Sequence, residues 1–263
     1  MPDLTQLRLE RPADGVALLV LDDPDLRNAM SAEMTASWVR AIDALAGDPT
    51  VRAVVVTGEG SAFCSGGNTD WIASEPDASV DRLRTRMMAF YRDWLSVRRL
   101  EVPVIAAVNG PAIGAGLCLA LACDLRFAAV GARLGAPFVR LGMHPGMGAT
   151  FLLPDVVGAA AARDLLLTGR VVDADEALRL GLVSRVVEPD ALLEEALAAA
   201  SQVAANAPIA TRLTKQALAV RHRDLESGLQ WEALAQPITL ATADLHEGVR
   251  AAKEKRRPVF RGE

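Results

Sequence analysis

The chain has 263 residues, of which 51% are apolar and 23% are charged, and its formal net charge is −5. This composition argues against long disordered tracts, and the acidic balance argues against a nucleic-acid partner, because general nucleic-acid binders usually carry a basic face. The three cysteines include no Cys-x-x-Cys pair, which indicates reduced thiols in a cytoplasmic protein. We expect no membrane span, because the apolar runs are interrupted, and no metal site, because the histidines are not spaced as ligands.

Strand and helix patterns alternate along the first three quarters of the chain. Apolar, β-branched runs predict buried strands at 16–21, 51–57, 104–108 and 124–129. Helical spacing of apolar residues predicts helices from Ser31 to Gly47, over 80–95 and over 117–122. This alternation is typical of an α/β fold, and the recurring strand, turn and helix favour stacked turns of one unit.

The last quarter of the chain has a different pattern. It predicts helices over 190–205, 208–222, 224–240 and 244–256. We therefore divide the chain into a core, 1–195, and a helical region, 196–263. Broad apolar faces on helices of this size often pack on a neighbouring subunit, so we expect an oligomer.

Two glycine-rich loops follow buried strands and precede helices, at 65–67 and 110–116. Free backbone N–H groups at the start of a helix favour negative charge. Two such groups directed at one point form an oxyanion hole, which stabilises a thioester oxygen as it gains charge. The alternative is that the glycines only make tight turns.

Further motifs accompany these loops. In chain order the segments are 25–30 (DLRNAM), 62–67 (AFCSGG), 105–110 (IAAVNG), Cys123-Asp124, 141–150 (LGMHPGMGAT), 167–170 (LTGR), 177–183 (ALRLGLV) and 254–256 (EKR). In this order they resemble the enoyl-CoA hydratase/isomerase (crotonase) superfamily over nearly the whole chain. The resemblance implies a ClpP-like spiral of strand–strand–helix repeats with a C-terminal helical trimerisation region, assembled as a homotrimer or homohexamer.

The resemblance also implies a binding site for an acyl-CoA thioester. The oxyanion donors would be the N–H groups of Gly67 and Ala115, and Arg27 would face the CoA phosphates. Coenzyme A would belong to the substrate, and no separate cofactor is expected. The residues that the resemblance places around the acyl-CoA are Arg27, Ala29, Ala62, Ser65, Gly67, Asn68, Ala115 and Phe138.

Both glutamates that relatives use for hydration are absent from this chain. Family members place one on the helix after the second glycine loop and one directly after a proline in the next loop. These positions hold Cys118 and Phe138. Isomerase relatives can carry an aspartate eight residues further on, where this chain has Gly146.

Other side chains are candidates to replace these carboxylates. His144 is our candidate for a catalytic base, since an unperturbed histidine has a pKa of roughly 6.5; alternatively it is a loop histidine bonded to backbone. Tyr91 either acts in the pocket or packs in the core, and Cys118 is either a nucleophile or an inert buried thiol. Asp70 and Glu75 either reach the pocket or are exposed loop carboxylates.

Three functions remain open on this basis. The first is an enoyl-CoA hydratase-type lyase. The second is another reaction of the thioester, such as isomerisation or hydrolysis, with His144 or water as the base. The third is an acyl-CoA-binding protein without catalysis. The apolar residues around Phe138 favour a hydrophobic acyl chain.

Overall fold

A computed structural model describes residues 2–68, 72–220 and 224–263. Its strands are β1 (Leu7–Ala13), β2 (Val16–Leu21), β3 (Ala53–Gly58), β4 (Val104–Val108), β5 (Ala112–Ile113), β6 (Leu125–Ala129), β7 (Arg133–Gly135), β8 (Val171–Asp173) and β9 (Arg185–Val187). Its α-helices are α1 (Ala32–Ala46), α2 (Val80–Trp94), α3 (Ala115–Ala122), α4 (Ala149–Thr168), α5 (Ala174–Arg179), α6 (Leu192–Ala204), α7 (Pro208–Ala219), α8 (Leu225–Leu240) and α9 (Ala243–Glu254).

The strands form two sheets. Among the described residues, a six-stranded sheet has the order β1-β2-β3-β4-β6-β9, and a three-stranded sheet has the order β5-β7-β8. In the larger sheet β1 pairs antiparallel with β2, and the remaining neighbours are parallel. The predicted α/β class is confirmed.

Helices cover both faces of the larger sheet. Alternate residues of one strand belong to different apolar clusters: Leu19 packs in the cluster that includes α1 and α3, and Leu18 packs in the cluster that includes α6. Every residue of β2, β3 and β4 is buried. A parallel strand that is buried on both faces has a continuous apolar sequence, which explains the runs seen in the chain.

Helix α1 begins where its cap predicts. The Ser31 hydroxyl accepts a hydrogen bond from the Met34 N–H at 3.0 Å and caps the helix. Trp38 and Ile42 are buried on its inner face, and the Trp38 ring stacks on Trp94 of α2 with 5.1 Å between the ring centroids. This contact fixes α2 above the sheet.

The C-terminal helices differ in how they meet the core. Helix α6 packs Leu192, Ala196 and Ala200 into the second apolar cluster, on the sheet. The predicted division after residue 195 therefore falls inside a helix that belongs to the core by its packing, and the division into domains stays a prediction. By contrast, α8 has no buried residue.

Candidate active site

Two asparagines hold the loop that leads to the first glycine motif. The buried Asn28 amide donates to the carbonyls of Glu59 and Ala62 at 3.0 and 2.8 Å, and its carbonyl oxygen accepts from the Asp23 N–H at 2.9 Å. The Asn109 amide donates to the Gly60 carbonyl at 3.0 Å. Both asparagines lie within the motifs at 25–30 and 105–110, but the motifs alone do not indicate this bracing role.

The two glycine loops are in direct contact. A β-carbon built on Gly116 would lie 2.1 Å from the Cys64 carbonyl oxygen, so only glycine fits there without a shift. A β-carbon on Gly66 would lie 3.3 Å from the Ala115 nitrogen. The Ile113 N–H also donates to the Cys64 carbonyl at 3.0 Å. The start of α3 is therefore held against the 64–67 loop.

The predicted oxyanion donors, Gly67 and Ala115, lie on these two adjoining loops. Ala115 is the first residue of α3, where N–H groups have no acceptor in the preceding turn. Across residues 2–68, 72–220 and 224–263, no backbone carbonyl accepts from the N–H of either residue. Gly114, with φ 58° and ψ −119°, makes the turn that begins the helix. The role of these N–H groups in catalysis stays a prediction.

Apolar side chains lie beside both donors. The Phe138 ring lies 3.8 Å from the position of a β-carbon on Gly114, next to Ala115. The Ile72 side chain lies 3.4 Å from the corresponding position on Gly67. Sequence reasoning missed Ile72, because it lies in a segment without a recognisable motif. The surroundings of both predicted donors are therefore apolar on this side.

The residues predicted to meet CoA lie along one edge of the first loop. Arg27 is exposed, in a left-handed conformation with φ 53°, and its carbonyl accepts from the Ser65 N–H at 3.0 Å. Ala29 and Ala62 are buried, whereas Ser65 and Asn68 are partly exposed. The structure thus brings Arg27 beside Ser65, and the CoA contacts themselves stay predictions.

His144 lies on the surface of the loop after Phe138. It is exposed, and its Nδ1 lies 2.8 Å from the Pro145 carbonyl oxygen. This contact matches the alternative of a loop histidine bonded to backbone. The role of His144 as a base stays a prediction.

Cys118 lies in the apolar core. Its side chain is fully buried, and burial raises the pKa of the thiol to about 12. A thiol in that state is a poor nucleophile at neutral pH, because the thiolate is the reactive form. Its Sγ lies 3.7 Å from the Gly146 carbonyl oxygen.

The carboxylates of Asp124 and Glu75 have structural partners. The Asp124 carboxylate accepts from the Val104 N–H at 2.7 Å and pairs with Lys215 of α7 at 2.8 Å. Glu75 pairs with Arg82 and Arg86, and the hydrogen bond from Arg82 lowers its pKa. Asp70 lies outside the described residues. In the described part of the chain no group of three potential ligands could hold a metal ion, and no helix is long and apolar enough to cross a membrane.

A family model described as enoyl-CoA hydratase/isomerase matches residues 11–263. The chain belongs to the enoyl-CoA hydratase/isomerase family. Its relatives in this family include the (E)-benzylidenesuccinyl-CoA hydratase of Thauera aromatica, 39% identical over 95% of this chain and 97% of the relative. The crotonyl-CoA hydratase of Syntrophomonas wolfei is 37% identical over 94% of this chain and 95% of its own.

A solved structure of this family has the same fold. The enoyl-CoA hydratase of Bacillus anthracis superposes with a TM-score of 0.91 at 34% identity, over 98% of this chain and 100% of that protein. The crotonase fold predicted from the motifs is confirmed. Membership of the enoyl-CoA hydratase/isomerase family identifies the chain as an enzyme of the hydratase/isomerase type.

Proposed function

We propose that the protein binds an acyl-CoA thioester and polarises its carbonyl with the N–H groups of Gly67 and Ala115. The observation that carries this proposal is that both groups lie on adjoining loops and lack a backbone acceptor among the described residues. The position of Ala115 at the first turn of α3 adds the positive end of the helix dipole. A thioester oxygen that becomes an enolate oxygen gains the charge that such donors stabilise.

The CoA part of the substrate would lie along Arg27 and Ser65. The Arg27 guanidinium forms no ion pair with any described residue, which leaves it available to a phosphate. The backbone around Ser65 and Asn68, with the buried Ala29 and Ala62 behind it, would form the wall at the adenine end.

The reaction proceeds, in this proposal, through the thioester enolate, as in the hydratase/isomerase type. Hydration is supported by relatives that are named as hydratases. Residues Cys118 and Phe138 take the usual places of the acid–base glutamates, so another group must move the proton. His144 remains our candidate for an alternative base in isomerisation or hydrolysis.

A second candidate function is binding of an acyl-CoA without turnover. The specific observation that favours it is chemical: an inert buried thiol at Cys118 and a phenyl ring at Phe138 cannot transfer protons. Removal of a general acid or base commonly lowers a rate by about 10²–10⁴.

We also propose a cytoplasmic homotrimer or homohexamer. Helix α8 buries none of its residues within the chain, and it exposes large apolar side chains. Those side chains are Leu225, Leu229, Leu234, Ile238 and Leu240. Packing on a neighbouring subunit would cover them.

A panel of saturated, 2-enoyl and 3-enoyl-CoA thioesters, followed by mass spectrometry, tests the proposed function. Gain of water on a 2-enoyl thioester identifies a hydratase, and release of free CoA identifies a hydrolase. Binding of thioesters without any change supports the non-catalytic function. Failure of every thioester to bind would overturn the proposal.

A further inference from the structure

The single tyrosine of the chain, Tyr91, contacts the loop that follows Phe138. Tyr91 lies near the end of α2 and is partly buried. A β-carbon built on Gly146 would lie 2.5 Å from the Tyr91 hydroxyl oxygen and 3.0 Å from the ring carbon that carries it. Any side chain at residue 146 would therefore displace the hydroxyl. By the resemblance, residue 146 is the position at which isomerase relatives can carry an aspartate.

The hydroxyl also lies near Cys118, which stands where relatives carry one of their two acid–base glutamates. Cys118 contacts the same Gly146, since its Sγ lies 3.7 Å from the Gly146 carbonyl oxygen. Cys118 follows Ala115 by three residues on α3, which is a rise of about 4.5 Å along a helix. Gly146 thus lies against both Tyr91 and Cys118, and Cys118 is about one turn along α3 from the proposed oxyanion donor Ala115.

The resting protonation state of Tyr91 is that of a proton donor. Burial raises its pKa, the Cys118 thiol raises it further, and a backbone hydrogen bond from Met147 acts in the opposite direction. The hydroxyl therefore keeps its proton at neutral pH. Across the described residues, no hydrogen bond or ion pair joins this hydroxyl to a charged side chain.

Core packing alone does not explain the hydroxyl. The ring packs edge-on against Phe90 with 6.3 Å between centroids, and a phenylalanine would make the same contact. The hydroxyl oxygen takes part in a backbone hydrogen bond from Met147, and no described residue accepts the proton of the hydroxyl itself. The glycine at 146 makes room for both the hydroxyl and the ring edge, and the hydroxyl oxygen is the atom that lies closest to its absent β-carbon.

We propose that the Tyr91 hydroxyl donates the proton to the α-carbon of the thioester enolate, an inference that rests on the proposed function. In hydration, the oxygen of water bonds to the β-carbon and the double-bond electrons form the enolate. The Tyr91 proton then bonds to the α-carbon as the carbonyl re-forms. The Tyr91 oxygen takes the proton that the added water loses, so one water is added and Tyr91 is unchanged.

Deuterium entry at the α-carbon, measured for the same thioester panel in D₂O, tests this step directly. We expect Tyr91→Phe to lower the rate of entry by about 10²–10⁴ while the affinity for the thioester is unchanged. Gly146→Ala, whose methyl group would displace the hydroxyl, should give a similar loss. Melting temperatures of both variants report whether they fold.

Because the chain has a single tyrosine, the acidity of its phenol can be changed by labelling while the side chain itself is kept. Growth on 3-fluorotyrosine replaces Tyr91 alone and lowers the pKa of its phenol. On the alkaline side of the pH profile, the rate of deuterium entry should then fall at a lower pH than it does in the unlabelled protein. Tyr91→Phe grown on the same medium is the matched control, because it has no tyrosine to replace.

The outcomes separate this inference from the proposed function. If thioesters bind but wild type incorporates no deuterium, or if Tyr91→Phe incorporates it at the wild-type rate, the role of Tyr91 is wrong and the proposed binding stands. An unshifted pH profile after fluorination also contradicts that role. If no thioester binds, the proposed function itself is wrong.

Discussion

The Cα of Gly116 approaches the Cys64 carbonyl so closely that a β-carbon on residue 116 would lie 2.1 Å from that oxygen. This contact holds α3 against the 64–67 loop, and both proposed oxyanion donors depend on it. The atom that blocks a side chain at residue 116 is a backbone oxygen, which cannot rotate away as a flexible side chain can. A larger residue at 116 must therefore move one of the two loops.

Gly116→Ala should therefore destabilise the protein and disturb the site together. Overpacking of a dense core costs about 1–3 kcal/mol. Urea unfolding measures this loss. Gly47→Ala is the matched control, because Gly47 has φ −88° and a β-carbon there meets only ordinary contacts at 3.6 Å. A Gly116→Ala variant as stable as the control would contradict this packing.

Asn28→Ala should weaken the loop that carries Arg27 and Ser65. The substitution leaves the Asp23 N–H and the carbonyls of Glu59 and Ala62 without their side-chain partner. Each unsatisfied buried group costs about 1–3 kcal/mol. We expect a lower free energy of unfolding and weaker binding of CoA, measured by calorimetry. Asn206→Ala, at an exposed position, serves as the control and should change neither quantity.

The three thiols should be unreactive in the folded protein. Burial raises the pKa of Cys64, Cys118 and Cys123 to about 12 each. An aromatic disulfide reagent at pH 8 should therefore label none of them until the chain is unfolded in urea. Rapid labelling of Cys118 in the native protein would revive its alternative role as a nucleophile.

The C-terminal tail should contribute stability that is lost in acid. The Glu247 carboxylate accepts from Arg256 at 2.6 Å and from the Val259 N–H at 3.0 Å, and Arg256 in particular holds the pKa of Glu247 far below its ordinary value of 4.5. Because the folded pKa is depressed, the contribution is present above pH 4.5 and is lost as the pH falls below that value.

Melting temperatures of wild type and Glu247→Gln between pH 7 and pH 3 measure this contribution. The variant should melt lower at neutral pH, and the difference should narrow in acid. Glu188→Gln, at an exposed position, is the control. If the difference in melting temperature between wild type and Glu247→Gln is constant across this pH range, the charge of the Glu247 carboxylate does not cause the stabilisation.

The sequence predicted those parts of the fold that depend on local pattern. Strands such as β2 and β4 are continuous apolar runs because both faces of the sheet are covered. Helix α1 was predicted from its Ser31 cap. Helix α3 begins two residues before its predicted start, because the left-handed Gly114 completes the turn and frees Ala115 to begin the helix.

The site was predictable only where a motif carries it. The two glycine loops were identified, but their contact through Gly116 and Cys64 joins segments that are far apart in the chain. The proximity of Tyr91 to Gly146 also depends on how α2 crosses the sheet, which no local pattern encodes. Ile72 beside Gly67 has no sequence signal of any kind.

Infrared difference spectroscopy of a bound ¹³C=O thioester measures whether the Ala115 N–H polarises the thioester carbonyl. Proline at this first helical position removes the N–H and is otherwise tolerated, whereas Ala115→Gly retains it. We predict that the carbonyl band shifts to lower frequency in wild type and Ala115→Gly, and shifts less in Ala115→Pro. An equal shift in a folded Ala115→Pro variant would show that the Ala115 N–H does not polarise the carbonyl.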